Sequence, residues 1–127
     1  MINKIFAATA FIFSLIIYVA TMAPSTSFWD CGEFIGVSHN LGVAHPPGAP
    51  LYFLIGNFFS TLFFFIEDIG ARINLLSVVC SSLSVTILYF IIVHLIKNWF
   101  QTENQYESLS IYLSALTGSL LFAFTDS

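Results

Sequence analysis

Four stretches without a charged residue dominate the chain: Ile5–Phe28, Leu51–Ile66, Ile73–Ile96 and Leu109–Thr125. A helix that crosses the hydrocarbon core of a bilayer, about 30 Å thick, needs about 20 predominantly apolar residues. The first, third and fourth stretches are candidate spans on that measure. The second is marginal, because its 16 residues rise only about 24 Å as a helix. On a helical wheel, Leu54, Ile55, Phe58, Phe59, Leu62, Phe65 and Ile66 fall on one side, while Tyr52, Gly56, Asn57, Ser60 and Thr61 share the other. That two-sided pattern suits a helix lying in the membrane interface.

The expected organisation is all-α, as the N-terminal part of one multi-pass transmembrane domain. Its parts are a span over about 5–23, an external loop with a short helix over 24–50, and an interfacial or short spanning helix over 51–66. A span over 73–96, a polar loop over 97–108 and a truncated span over 109–127 follow. The run QTENQYES, Gln101–Ser108, is the only strongly polar segment, and no internal repeat is visible. Lys4 ahead of the first apolar stretch, with Thr21-Met22-Ala23 after it, loosely fits a cleaved signal. The apolar part is long for that, and further apolar segments follow, so an uncleaved span is the simpler reading. The end at Phe124-Thr125-Asp126-Ser127 carries no cap and no polar tail, which suggests a piece of a longer polypeptide.

Charge counting does not decide how the second stretch sits. If it spans, Lys4 and Arg72 share a side; if it lies flat, Lys4 and Lys97 do. The flat placement is preferred, and it brings Asp126, at the far end of the last helix, to the face that carries Asp30.

Composition supports a membrane chain, with 57% of 127 residues hydrophobic and 8% charged, about a third of the charged share of a soluble domain. The formal net charge of -4 sets seven scattered acids against Lys4, Arg72 and Lys97. No basic patch can track a phosphate backbone, so nucleic acid is not an expected partner. Cys31 lies in the polar loop and Cys80 inside an apolar run, settings that argue against a disulfide between them.

The chemistry concentrates between the first two apolar stretches, in SFWDCGEF (Ser27–Phe34) and LGVAHPPGAP (Leu41–Pro50). Asp30 and Glu33, three apart, share a face if Trp29–His39 is helical, and such a pair can supply a base or hold a cation. A carboxylate beside Trp29 and Phe34 at a membrane surface is partly desolvated, which improves it as a proton acceptor. The competing reading is structural: Ser27 with Asp30, or Asp30 with Glu33, has the spacing of a helix capping box. His45 before two prolines is either part of a rigid helix-start turn, with Pro50 opening the next helix, or a donor to a phosphate or a substrate hydroxyl. Arg72 either anchors a helix end at the headgroups or contacts a lipid-linked phosphate. His39 reads as the wet end of the short helix, and His94 as an interfacial or packing residue. A metal is conceivable only if Asp30, Glu33 and Asp126 converge, a weak signal, and none is expected.

SFWDCGEF, LGVAHPPGAPLYFLIG and ARINLLS together resemble a known membrane family: the bacterial multi-pass proteins labelled domain of unknown function 2723, grouped with glycosyltransferase family 117 and protein O-mannosyltransferase-like enzymes. The likeness runs from about Ala23 to Asp126. These proteins are similar to the GT-C glycosyltransferases, whose first external loop carries a catalytic acid and whose following proline-rich segment leads into a membrane-surface helix. The resemblance implies inverting transfer of a sugar, mannose being one candidate, from a polyprenyl-phosphate donor to an acceptor hydroxyl on a protein or glycan, without fixing which sugar or acceptor. It implies the bacterial inner membrane, with the active loop facing the periplasm or a lumen and membrane lipid as the other partner. Asp30 matches the first-loop acid; Glu33 and His45 match neighbouring motif positions. Asp30 and Glu33 are therefore the catalytic candidates, and Trp29, His45 and Arg72 the substrate-binding ones, with no cofactor expected.

Two rivals stay open. A non-catalytic module, such as a transporter or assembly subunit, would use the carboxylates only as caps, although transport favours ionisable groups inside the spans. A lipid-phosphate hydrolase would use the same loop and release the sugar to water.

Overall fold

A computed structural model describes residues 2–99 and 105–125, with the side chains of 105–107 excepted. Among the described residues there are five helices and no strand: α1 Ile2–Thr21, α2 Cys31–Asn40, α3 Pro50–Leu62, α4 Ile69–Trp99 and α5 Gln105–Phe124. The all-α expectation holds. Two helices, α1 and α4, are long and apolar enough to cross a membrane, while the apolar parts of α3 and α5 are shorter.

The helix bounds differ from the hydropathy boundaries for local reasons. α1 stops at Thr21, three residues before Pro24, so the apolar tail to Phe28 is not helical. α4 starts at Ile69, earlier than apolarity suggests, because Asp68 Oδ1 accepts the Ala71 N–H at 2.9 Å and caps it. Lys97–Trp99 continue α4 and Gln105–Ser108 open α5, although the polar pattern reads as loop over 97–108. Polar residues keep a helix going wherever its end reaches water. The middle of that loop and Asp126 lie outside the described residues, and with Asp126 any convergence with Asp30.

The chain divides into two compact units, a helical unit of residues 1–18 and 80–127 and a loop unit of residues 19–79. In the helical unit, Ala7, Tyr89, Val93, Ile111 and Ala115 form a buried cluster, with Phe6, Ile92, Ile96, Tyr112 and Leu116 packed on it. Ala10, Ser14 and Ser119 are fully buried, and small residues at such seams let helix backbones approach closely. Their hydroxyls bond back within their own helices, Ser14 Oγ to the Ala10 carbonyl at 2.8 Å and Ser119 Oγ to that of Leu116 at 3.0 Å. Tyr89 donates to Asn3 Oδ1 at 2.8 Å, and Lys97 Nζ donates to the Tyr112 hydroxyl at 2.9 Å.

In the loop unit, α3 lies against α2 with its polar side inward. Phe53, Gly56 and Ser60 are buried, whereas Leu51, Leu54, Phe58 and Leu62 are exposed. A soluble amphipathic helix does the reverse. The wheel divides the two faces, and it is the polar one that packs on protein, leaving the apolar one exposed. At 13 residues, α3 rises about 20 Å, short of the hydrocarbon thickness. Gly56 is required by the packing: a Cβ there would sit 2.8 Å from Ser38 Oγ and 2.9 Å from Ser38 Cβ.

Candidate functional site

Two side-chain clamps shape the loop unit before any catalytic group is considered. Asn74, one turn into α4, donates through Nδ2 to the carbonyls of Ala23 and Ser25 at 2.9 and 3.0 Å. This holds the segment leaving α1 against the start of α4. Asp68 lies in the same place, its carboxyl held below the ordinary range chiefly by the Ala71 N–H and the Ser25 hydroxyl, against an opposing effect of burial, with lesser help from the Gly70 N–H and the charge of Arg72. Gly70 completes the crossing, since a Cβ would stand 3.1 Å from the Ser25 carbonyl carbon. Asn57, on α3, forms the second clamp by donating to the carbonyls of Ser38 and His39 at the end of α2, at 3.0 and 2.8 Å. His39 Nδ1 meets Ser60 Oγ at 2.8 Å beside it.

Trp29 and Asp30 stand at the entry to α2. Trp29 has φ 62°, left-handed backbone that a bulky residue seldom adopts, and it is 96% exposed. Asp30 is the last residue before the helix; its carbonyl accepts the Phe34 N–H at 3.0 Å, while its side chain makes no capping hydrogen bond. The capping-box reading fails at both spacings, because Ser27 Oγ lies 3.5 Å from Cys31 Sγ and Glu33 turns elsewhere. Asp30 and Trp29 are both exposed.

A cleft of about 380 Å³ opens beside them, lined by Trp29, Asp30, Cys31, Phe34, Ile35, Tyr52, Asn74 and Ser77. Phe34 packs edge-on to Tyr52 and Phe53, with ring centroids 5.6 and 5.1 Å apart, joining the α2 wall to α3. The cleft therefore combines a carboxylate that bonds no side chain or backbone among the described residues, an amide, hydroxyls and aromatic surface.

Glu33 reaches across to the proline turn. Its carboxylate accepts the His45 backbone N–H at 2.8 Å and meets His45 Nδ1 at 2.5 Å. These bonds, backbone first, lower the Glu33 pKa against an opposing effect of desolvation. The turn goes on through a cis Pro46–Pro47 peptide and Gly48 at φ +68° into Pro50, which opens α3. Arg72 gives Nε to the Ile66 carbonyl, Nη1 to that of Ser60 and Nη2 to that of Glu67. Its guanidinium closes the turn between α3 and α4.

Of the five residues nominated from sequence, Trp29 and Asp30 meet at the cleft, Glu33 and His45 meet each other, and Arg72 joins neither pair. His94 pairs with Asn98 Nδ2 at 3.0 Å. The periodicity gave no sign of Asn74, Tyr52 and Ser77 as cleft residues; a lone asparagine near the start of an apolar helix was the available signal. Cys31 and Cys80 are both free thiols.

Two helices of membrane-spanning length, with a cleft lined by residues between Trp29 and Ser77, make this a helical membrane-protein fragment. Residues 30–127 match the family described as Protein O-mannosyl-transferase TMEM260 N-terminal domain, and the chain belongs to that family. It is similar to Protein O-mannosyl-transferase TMEM260 of Mus musculus, at 36% identity over 91 residues that cover 72% of this chain and 12% of the mouse protein. It is also similar to Protein O-mannosyl-transferase tmem260 of Dictyostelium discoideum, at 54% identity over 50 residues covering 39% of this chain and 6% of that protein. The chain thus spans only a small part of the length of these curated relatives. No solved structure matches it.

Proposed function

We propose that this chain is the N-terminal part of a membrane mannosyltransferase, and that it contributes the catalytic base and part of the acceptor pocket. The donor in this reading is a polyprenyl-phosphate mannose and the acceptor a hydroxyl of a protein or glycan. The observation that carries it is the Asp30 carboxylate, which lines the cleft without a capping bond. A carboxylate used as a cap would be bonded to the first turn of its helix.

The chemistry is a single displacement with inversion. The acceptor oxygen bonds to the anomeric carbon as the bond from that carbon to the phosphate oxygen breaks, and the leaving electron pair stays on the lipid phosphate. Asp30 takes the hydroxyl proton, a role worth about 10² to 10⁴ in rate. Trp29, exposed beside it, offers an apolar face to a sugar ring. Glu33 and His45 lie at the proline turn as substrate-side groups, and Arg72 supports the turn with its remaining donors free for a phosphate. The cleft faces the non-cytosolic side, periplasmic in a bacterial inner membrane and lumenal in the eukaryotic setting of the relatives.

The test is transfer of radiolabelled mannose from a polyprenyl-phosphate donor, in membranes expressing the full-length parent, with wild type beside Asp30→Asn. Loss of transfer at equal expression supports the assignment. Equal transfer removes Asp30 as the base, and no transfer by wild type from several donors favours a non-catalytic membrane module. Labelled sugar released to water in place of acceptor would indicate a lipid-phosphate hydrolase.

A further inference from the structure

The base assigned to Asp30 leaves unused the most tightly specified polar contact in the loop unit. One carboxylate holds both the backbone and the ring of a single residue: Glu33 Oε1 accepts the His45 N–H, and Oε2 accepts from Nδ1. The backbone bond alone would be enough to fasten the turn. The ring bond adds something different, because a neutral imidazole whose Nδ1–H is committed to a carboxylate carries its lone pair on Nε2. The His45 side chain is 55% exposed, and among the described residues nothing bonds Nε2. Pro46 and Pro47, directly on the C-terminal side of His45, restrict the backbone that carries the ring.

We propose that Glu33 is a positioning residue that fixes the tautomer and orientation of His45, so that Nε2 accepts a hydrogen bond from a substrate hydroxyl, on the sugar or on the acceptor. This rests on the transferase reading above. Glu33 then acts through His45 and takes no proton from substrate itself. Carboxylates that orient a metal-bound histidine typically govern roughly 10- to 100-fold in activity, and an effect of that order is expected here.

The experiment is a double-mutant cycle on the full-length parent, with Glu33→Gln, His45→Ala and the double variant compared with wild type in the transfer assay. His45→Ala keeps the backbone N–H that Glu33 binds, so it removes the ring without unfastening the turn. Each single variant is expected to lose roughly 10- to 100-fold, with the double no worse than His45→Ala alone. A rise in KM for the donor points to a sugar hydroxyl, and a rise for the acceptor to the acceptor's own. A double loss equal to the product of the singles overturns the proposal, and so does wild-type transfer by His45→Ala, which would leave Glu33 as a fastener of the turn. A second measurement stands apart from activity: ¹⁵N shifts of the His45 ring in histidine-labelled parent protein. Nδ1 protonated and Nε2 bare in wild type, with mixed tautomers in Glu33→Gln, supports it; identical shifts in both overturn it even if no donor is ever found.

Discussion

In the helical unit most of the fully buried groups, Val85 apart, are small or hydroxylated, and hydroxyls such as those of Ser14 and Ser119 bond within their own helices. Tyrosine hydroxyls reach distant backbone in the helical unit, Tyr18 to Ala123 and Tyr89 to Asn3, whereas in the loop unit amides and a guanidinium do so: Asn74 to Ala23, Asn57 to Ser38, Arg72 to Ser60. The first unit is held by close approach of helices whose backbones are already satisfied. The second has backbone outside helices, whose carbonyls need partners, and single amides and one guanidinium supply them. Robustness should differ accordingly, because a seam of many small contacts yields gradually whereas an amide clamp fails at a single residue.

The sharpest contrast is between activity and stability at Asp30. Asp30→Asn in the full-length parent is expected to lower transfer by about 10² to 10⁴. Its unfolding should move by less than about 0.5 kcal/mol, as for exposed side chains without partners. A thermal shift alongside the transfer assay checks both, and a large loss of stability would make Asp30 a structural residue after all.

Two glycine substitutions then set one unit against the other. Gly56→Ala meets Ser38 Oγ and Cβ inside the α2–α3 packing and should cost about 1–3 kcal/mol. Gly118→Ala in α5 meets only the tip of Ile92, at 3.4 Å, so the gain in helix propensity, about 0.5–1 kcal/mol, should offset or exceed any crowding. Comparable destabilisation by both would erase the proposed distinction. Smaller again is Asn57→Ala, expected to cost about 1–2 kcal/mol by leaving the α2 carbonyls without their donor. Thr9→Ala, whose hydroxyl only bonds back to Ile5, should stay within about 0.5 kcal/mol. Limited proteolysis of the 41–49 turn reads the first, and thermal unfolding the second.

The subtlest contrast is in acid. Glu33 and Asp68 have pKa values lowered from 4.5 and 3.8. Their contribution is fully present above those ordinary values and is lost as pH falls through the lowered ones. Neither belongs to the helical unit. Hydrogen exchange on the parent in a bilayer should therefore show the amides of His45 and Ala71 losing protection below about pH 4, while those around Tyr89 keep theirs. Loss of both together would mean that the units do not respond separately.

How much of this was legible in the sequence follows the same division. Apolar length located α1 and α4, and the proline run located the start of α3, because hydropathy and fixed φ are local properties. The wheel separated the faces of α3 but not which of them meets protein, since that depends on whether lipid or water lies outside. Asp30, Glu33 and His45 stood out as ionisable residues in an apolar chain. That Glu33 binds His45 and leaves Asp30 alone at the cleft could not be read, because capping and cross-loop pairing have the same local spacing. Nothing in the pattern marks Asn57 and Asn74 as clamps, because their partners lie at distances along the chain to which no periodicity refers.

Cys31 lines the same cleft as Asp30, half-buried, with its thiol free. Cys80 sits well along α4 within the apolar run that a bilayer would cover. A charged thiol reagent, confined to water, reaches the first and not the second. The site thus carries its own chemical gauge: the rate of Cys31 labelling in sealed vesicles reports which side of the membrane the cleft opens to, and slowing of that rate by a donor or acceptor reports that it is filled, with no engineered probe.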